Sequence, residues 1–408
     1  MKTLAAFALL LLVGFLGSAK LYHRLKRASP FTYLLYSGTA FIFFGYLIGP
    51  NGLNLISGEI RHHMAPLINF SLGWVGFISG FQMELKFLKR IHLHWYIILL
   101  FTYFLPFIFI FYISLLFIHY VYGIFYMDLQ NAIGASFVLA ILLTESSVSF
   151  TAWSSRFFKR MTQEIRLSAF LSSVDNFFPV VLTGLIISLY SFVPESGSIV
   201  PKMPGTAVLH AVTQLAAGIL CGLFTHLLVK RIQDRLEIST VLFGIVFFLS
   251  GVSLMAGFSP LFVGMVCGVV FSNLTHRHAS FLKILMPTEK PIYIIFLIFL
   301  ALQELVIHPP LILLGIIALW AKFVIKKETF ILWNKFKPDK PGLPPCFAHL
   351  FTPIGSISPA IILDLLYTFP NRDTSIVAGI FVVVLLISEI IAPMSIRIIQ
   401  RHTGVLKR

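Results

Sequence analysis

Long apolar runs separated by short polar segments fill almost the whole chain. Runs of roughly 17–25 apolar residues are long enough to cross a bilayer as helices. Thirteen are predicted, at about 3–19, 31–49, 64–82, 92–119, 131–153, 167–193, 206–229, 238–257, 259–275, 291–307, 310–325, 343–368 and 375–396. This pattern predicts an all-α polytopic membrane protein.

Composition supports this class, because 58% of the residues are hydrophobic and only 12% are charged. The net charge of +15 could suggest nucleic-acid binding, but the basic residues stand between apolar runs. The loops after odd-numbered spans, together with the C-terminus, hold 26 of the 31 lysines and arginines. Basic loops face the cytoplasm, so we expect the N-terminus outside, the C-terminus inside and no nucleic-acid partner. The chain is predicted to be one membrane transport domain, 1–408, without a soluble regulatory domain.

Two spans contain polar interruptions. Residues 144–149 (TESSVS) interrupt the fifth span. Residues 351–359 (FTPIGSISP) interrupt the twelfth, where Pro353, Gly355, Ser356 and Pro359 disfavour a continuous helix. Broken helices at corresponding places in two halves indicate a transporter site. Because the two spans are seven apart, they run in opposite directions, as inverted repeats require.

Asp175 lies well inside the sixth span. A carboxylate near the bilayer centre is costly unless it faces a partner, an ion or water, so it indicates a functional site. We therefore predict that Asp175 binds the transported ion and the proton. The alternative is a buried acid that Thr144, Ser172 or Ser173 satisfies through hydroxyl groups.

Uncharged oxygens near Asp175 could complete an ion site. Thr144, Ser146, Ser147 and Asn176 carry such oxygens, which hard cations prefer as ligands. For each of these residues alone, a hydrogen bond between packed helices is an equally good explanation.

Two further charged residues have two readings each. Glu145 is either an ion ligand or a structural acid that faces the dipole of the opposite half-helix. Lys322 is the one basic residue within a predicted span. It is either a charge partner of Asp175 or a lysine that extends to the cytoplasmic surface.

The remaining polar residues within spans carry weaker predictions. Asp364, Glu389 and Glu304 lie toward span ends or on peripheral helices, so interface solvation is expected, although Asp364 could face the cavity. His210 is assigned no role. The three cysteines lack metal-type spacing, and no cofactor or resident metal is predicted.

Several stretches carry a family resemblance: 45–53 (GYLIGPNGL), 72–77 (LGWVGF), 79–84 (SGFQME), 88–90 (LKR) and 263–273 (VGMVCGVVFSN). In this order they resemble monovalent cation:proton antiporters of the sodium/proton exchanger superfamily, nearest the bacterial branch that includes the potassium-efflux antiporters. The resemblance implies a homodimer in the bacterial inner membrane. In each subunit, a core with two crossing broken helices would move against a dimerisation domain.

The same resemblance assigns roles to particular residues. Thr144 matches the family's threonine-containing break, and Lys322 occupies about the place of its later lysine or arginine. Asp175 matches the acid pair on the following helix, but its neighbours are Val174 and Asn176, so one carboxylate of the pair is missing.

The predicted function is exchange of a monovalent cation, Na⁺ or K⁺, for protons by alternating access around Asp175. A symporter or organic-anion carrier of the same fold, or a family member that no longer transports, remains an alternative. An integral membrane enzyme is disfavoured, because the loops are short and mainly basic.

Overall fold

The computed structural model describes residues 30–50, 52–56, 58–89, 91–122, 129–158, 162–193, 198–307, 309–336 and 343–402. The predicted first span, 3–19, lies outside the described residues. Within them the chain is mainly helical and contains a single two-stranded hairpin.

The described helices are α1 (Pro30–Ser37), α2 (Phe41–Ile48), α3 (Gly58–His63), α4 (Ala65–Phe81), α5 (Leu85–Leu88), α6 (Leu93–Phe117), α7 (Leu129–Thr144), α8 (Val148–Ser154), α9 (Thr162–Asp175), α10 (Phe177–Leu189), α11 (Pro204–Val229), α12 (Arg235–Ala256), α13 (Pro260–Leu274), α14 (His278–Ala301), α15 (Pro309–Phe336), α16 (Ser358–Thr368) and α17 (Arg372–His402). Two 3₁₀ segments, Ser155–Phe157 and Pro345–Phe351, and a π-helical turn, Ile118–Tyr122, complete the helical part.

The twelve predicted spans from 31–49 onward each correspond to one described helix or interrupted pair. Eight helical spans among the described residues are long and apolar enough to cross a membrane, and the bent pair α1–α2 makes a ninth. The shorter apolar helices α4, α13 and α16 account for the rest. The chain is therefore a multi-pass, all-α membrane protein, as predicted.

The predicted sixth span, 167–193, is too long at its C-terminal end. Helix α10 ends at Leu189, and the chain continues as β1 (Tyr190–Val193), which pairs antiparallel with β2 (Ser198–Pro201). The residues of β1 are apolar enough to extend a hydropathy run, but β-branched and aromatic residues also favour a strand.

Two other predicted boundaries were wrong because charged residues lie inside helices. Helix α14 begins at His278 rather than at 291 and continues through Pro287 and Pro291. Helix α15 continues past 325 to Phe336, so that Lys326 is buried within it. Other helices cover Lys326, and a hydropathy pattern cannot reveal such burial.

The glycine-containing stretches 72–77 and 263–273 pack against each other in helices α4 and α13. A methyl group added to Gly76 would collide with the carbonyl of Leu261, and one added to Gly268 would collide with the carbonyl of Phe77. Small residues let helix backbones approach closely inside a membrane. Glycine is therefore required at both positions for this close contact.

Helices α1 and α2 form one bent span. Their axes differ by 67° across a short break. Gly38 lies in this break with φ +89°, a backbone conformation that favours glycine. Ser37 and Thr39, which flank Gly38 in this break, are both buried, and their hydroxyl oxygens lie 2.8 Å apart.

Candidate functional site

The two interrupted helices meet at their breaks. Helices α7 and α8 flank the first break, and the second 3₁₀ segment and α16 flank the second. The backbone N–H of Ser147 donates a 3.1 Å hydrogen bond to the carbonyl oxygen of Pro353. The hydroxyl group of Ser358 donates to the carbonyl oxygen of Leu142 at 3.0 Å. Both polar stretches found in the sequence therefore belong to one buried site.

Side chains of the first break differ in whether they have hydrogen-bond partners. Thr144, Glu145, Ser146 and Ser147 are all at most 1% exposed. Ser147 Oγ accepts a 3.1 Å hydrogen bond from the N–H of Phe150 and so caps α8. Thr144 Oγ1 has no hydrogen-bond partner among the described residues. Ser147 thus stabilises the break, whereas the Thr144 hydroxyl is available to a ligand.

Asp175 ends α9 beside the first break and is 3% exposed. Its Oδ2 accepts a 2.6 Å hydrogen bond from the Ser146 hydroxyl and lies 3.3 Å from Nζ of Lys326. Its other oxygen, Oδ1, is buried and has no hydrogen-bond partner within the described part of the chain. One carboxylate oxygen is held by the protein, and the other is available to bind a ligand.

Among the described residues, the direct ion-pair partner of Asp175 is Lys326. The predicted partner, Lys322, interacts with Asp175 electrostatically but forms no direct ion pair with it. Lys326 Nζ also donates to Ser146 Oγ at 2.6 Å and to the carbonyl oxygen of Thr144 at 3.0 Å. Lys326 is 1% exposed, so it does not extend to the cytoplasmic surface. The sequence analysis did not consider Lys326, because the predicted span ended at 325, one residue too early to include this lysine.

Lys322 lies one helical turn before Lys326 and is fully buried. Its Nζ donates to the carbonyl oxygen of Glu145 at 2.5 Å and lies 3.5 Å from that of Pro353. Both lysines therefore contact carbonyl oxygens at the C-terminal end of α7. Positive charge is favourable there, because the helix dipole and the unpaired carbonyl groups are negative.

Glu145 faces the N-terminal end of α16. Its Oε1 accepts a 3.1 Å hydrogen bond from the N–H of Ile357, and its Oε2 accepts one from the Ser358 hydroxyl. With the amide of Asn176 oriented to satisfy its neighbours, Nδ2 lies 3.1 Å from Glu145 Oε1 and 3.3 Å from the carbonyl oxygen of Ser146. This geometry matches the structural alternative for Glu145, an acid at the positive end of a half-helix.

The predicted residues of the second break surround this carboxylate. Gly355 lies so close to Glu145 that a methyl group there would collide with the carboxylate. Pro359 occupies the first turn of α16, where its missing N–H costs nothing. Ser356 adjoins the carboxylate of Glu289.

Glu289 is a site-adjacent acid that the sequence analysis did not single out. It lines a small cavity of about 50 Å³ together with Asn176 and Gln82. The residue stands beside Lys290 between two prolines, a context that resembles a loop in a hydropathy pattern. The sequence does carry one sign of this acid. Glu289 lies just before the predicted span 291–307, so the same helix can extend to include it.

Three other acids differ in burial. Glu304 is exposed and pairs with Arg61 at 3.4 Å, as expected for an interfacial residue. Asp364 and Glu389 are at most 2% exposed, so the expectation of interface solvation was wrong for both. Asp364 Oδ2 accepts a 2.5 Å hydrogen bond from Ser259, whose oxygen also caps α13. His210 lies 3.4 Å from Ser188 Oγ, away from these breaks.

Discontinuous helices that meet around a buried site occur in the folds of secondary transporters. Two solved structures share this fold. Both are structures of the sodium/proton antiporter MjNhaP1 from Methanocaldococcus jannaschii, with TM-scores of 0.65 and 0.63 and sequence identities of 14% and 16%. Each comparison covers 100% of this chain and 98% of the other.

No family model matches the sequence, and no curated protein matches it. At this level of identity the two structures show the fold alone. The predicted all-α polytopic fold is confirmed, and it matches the fold of these antiporter structures.

Proposed function

We propose that the chain is a secondary active transporter that exchanges a monovalent cation for protons. One observation carries this proposal: Asp175, buried where the two breaks meet, has one oxygen bound by Lys326 and Ser146 and another with no protein partner among the described residues. A carboxylate held in this way can accept either a proton or a metal cation.

The proposed mechanism is competition at one site. A cation that approaches Asp175 must replace the attraction of the Lys326 ammonium group, or enter when that lysine has lost its proton. Thr144 Oγ1, Asp175 Oδ1 and nearby carbonyl groups are hard oxygen ligands of the kind that Na⁺ and K⁺ prefer. Release of the cation lets a proton return to Lys326 or to the carboxylate, and either proton neutralises the site again.

Neutralisation of the site couples exchange to alternating access. Moving an uncompensated charge through the bilayer core costs several kcal/mol, roughly 2.5–3.5 on insertion scales and more by other estimates. Only the cation-loaded or proton-loaded site therefore crosses between the two sides. Glu145 and Lys322 remain bound to the backbone of the breaks and stabilise the half-helix ends throughout the cycle.

The remaining features of the proposal follow the resemblance in the sequence. We propose a homodimer in a cell membrane, the bacterial inner membrane by resemblance, with the C-terminus in the cytoplasm.

The test is a transport assay in proteoliposomes that contain a pH-sensitive dye. Na⁺, K⁺ and Li⁺ are added to the outside in turn. Entry of at least one of these cations should drive protons out of the proteoliposomes. Asp175→Asn should abolish the signal. Asp364→Asn is a matched control, because it also neutralises a buried acid but leaves an oxygen to accept from Ser259. Equal exchange by Asp175→Asn and the wild type would contradict the proposal.

A further inference from the structure

A small cavity lies beside the meeting point of the two breaks. Its volume is about 50 Å³. Each water needs about 10–15 Å³, so the cavity has room for roughly three or four waters, or for one cation with part of its hydration shell. Its walls include Asn176, which follows Asp175, and Ile357, whose N–H binds Glu145. The cavity is therefore continuous with the walls of the candidate site.

Several polar residues line this cavity. Ser79 and Gln82 come from α4 and its C-terminal end, Glu289 comes from α14, and Asn176 lies between α9 and α10. Among the described lining residues, Glu289 is the one acid, and none is a lysine or an arginine. Carboxylate, amide and hydroxyl oxygens are the ligands that hard cations prefer. The composition of the walls therefore suits a small cation.

Glu289 has no basic partner in the described part of the chain. It is half-buried and forms no ion pair with a described lysine, arginine or histidine. The neighbouring Lys290 lies over the ring of Tyr36, with Nζ 5.3 Å from the ring centroid. Carboxylates inside proteins are usually paired with a basic group or bind a metal cation. The cavity beside Glu289 provides the space for such a cation.

The charges at the meeting point of the breaks give this acid a role. Two acids, Asp175 and Glu145, and two lysines, Lys322 and Lys326, are buried there, so their formal charges cancel. A cation that approaches this neutral group also meets the Lys326 ammonium beside Asp175. Glu289 adds one negative charge at the adjoining cavity. A cation there is compensated before Lys326 releases its proton.

Gln82 joins three helices at the wall of the cavity. Its Oε1 accepts a 3.2 Å hydrogen bond from the Ser173 hydroxyl of α9, and its Nε2 donates to Sδ of Met286 in α14 at 3.7 Å. The basic segment 86–90, which we propose to be cytoplasmic, follows Gln82 closely in the sequence. The cavity therefore belongs to the cytoplasmic half of the molecule.

We infer that Glu289 is a second cation-binding carboxylate, which holds the transported cation in this cavity on the cytoplasmic side of Asp175. Oxygens of Ser79 and Gln82, together with water, complete the coordination of the cation. The cation passes along Asn176 between the cavity and Asp175. This passage rests on the proposed function, whereas binding in the cavity does not.

The site is tested by equilibrium binding of radioactive Na⁺, and of radioactive Rb⁺ in place of K⁺, to the purified protein in lipid at alkaline pH. Glu289→Gln should raise the Kd about tenfold, which corresponds to about 1.4 kcal/mol. Glu289→Asp keeps the charge and should give an intermediate Kd. Glu328→Gln, which neutralises an exposed acid of α15, is the matched control and should keep the wild-type value. Equal Kd values for Glu289→Gln and the wild type would overturn the inference.

Transport by the same variants separates this inference from the proposed function. In proteoliposomes, Glu289→Gln should raise the KM for the cation and leave kcat near the wild-type value. Glu289-dependent binding without proton movement in the wild type would contradict exchange and support the cavity site. Normal exchange with unchanged KM and Kd in Glu289→Gln would overturn the cavity site alone, and a wild type that binds no cation would overturn both.

A second variant decides the matter if Glu289→Gln fails to fold. Ser79→Ala removes one proposed oxygen ligand of the cation and leaves the charge of the cavity unchanged. It should raise the Kd by a smaller factor than the loss of a carboxylate. An unchanged Kd in folded Ser79→Ala would then overturn the inference.

Discussion

Asp175 and Glu145 are buried carboxylates at the same meeting point, yet the protein binds them differently. Both Glu145 oxygens accept hydrogen bonds from donors of α16, namely the N–H of Ile357 and the Ser358 hydroxyl. Asp175 has one oxygen bound by Ser146 and Lys326 and one without a partner among the described residues. Complete satisfaction indicates a structural acid, whereas incomplete satisfaction indicates a site for exchangeable ligands.

The largest expected effect separates these two acids by function and stability. Asp175→Asn should abolish exchange, because it removes the titrating carboxylate while keeping an oxygen that accepts from Ser146. It also leaves the Lys326 charge buried without its partner, so some stability is lost. Glu145→Gln should keep measurable exchange but lower the stability by about 1–3 kcal/mol, because a charge-assisted contact at a helix N-terminus is weakened. Transport and thermal unfolding are measured on the same preparations. A dead Glu145→Gln beside an active Asp175→Asn would reverse the assignment.

A second, smaller effect distinguishes the two lysines. Lys326→Gln leaves Asp175 without its partner and should destabilise the protein by about 3–5 kcal/mol, as removal of one member of a buried ion pair does. Combining it with Asp175→Asn should restore part of this loss. Lys322→Gln removes hydrogen bonds to carbonyl groups and an electrostatic attraction to Asp175 and Glu145, but no direct ion pair among the described residues.

The measurement is a pair of double-mutant cycles by thermal unfolding. The coupling energy between Lys326 and Asp175 should reach about 1–3 kcal/mol, the upper part of the range for residues in contact. The cycle between Lys322 and Asp175 should give a clearly smaller value. Equal coupling energies would show that the two lysines share the carboxylate.

The smallest effect concerns Ser146, which bridges Lys326 and Asp175 through its hydroxyl group. Ser146→Ala removes one hydrogen bond to the carboxylate and should change stability by about 0.5–1.5 kcal/mol. The apparent cation affinity in the transport assay should change with it, since the carboxylate is less firmly oriented. Ser155→Ala, an exposed position beyond the end of α8, is the control. Identical cation affinities for the two variants would remove Ser146 from the site.

Much of the fold could be predicted because lipid exposure leaves a strong hydropathy signal. The spans and both polar interruptions could be predicted from the order of apolar and polar residues along the chain. Asp175 could be predicted as a site residue because a lone acid in an apolar run is costly. The choice between Lys322 and Lys326 could not be predicted in this way. Both lie on α15, a helix of 28 residues that extends beyond the apolar run, and both are buried. Only the packing of neighbouring helices decides which one contacts Asp175.

The same limit explains why the positions of Asp364, Glu389 and Glu289 within the protein were not predicted. Hydropathy averages over all faces of a helix, so an acid on a protein-facing side resembles one near the lipid headgroups. Their partners lie on elements distant in sequence, such as Ser259 for Asp364 and Ser37 for Glu389. These contacts follow from the tertiary arrangement alone.

The hydrogen bond from Ser147 to Pro353 joins the two breaks through main-chain atoms only. Any residue except proline supplies the N–H at position 147, and every residue supplies the carbonyl oxygen at position 353. Substitutions of the side chains around the carboxylates therefore leave this main-chain link in place. In engineering terms, one of the connections between the two broken helices is independent of side-chain identity, apart from the exclusion of proline at position 147.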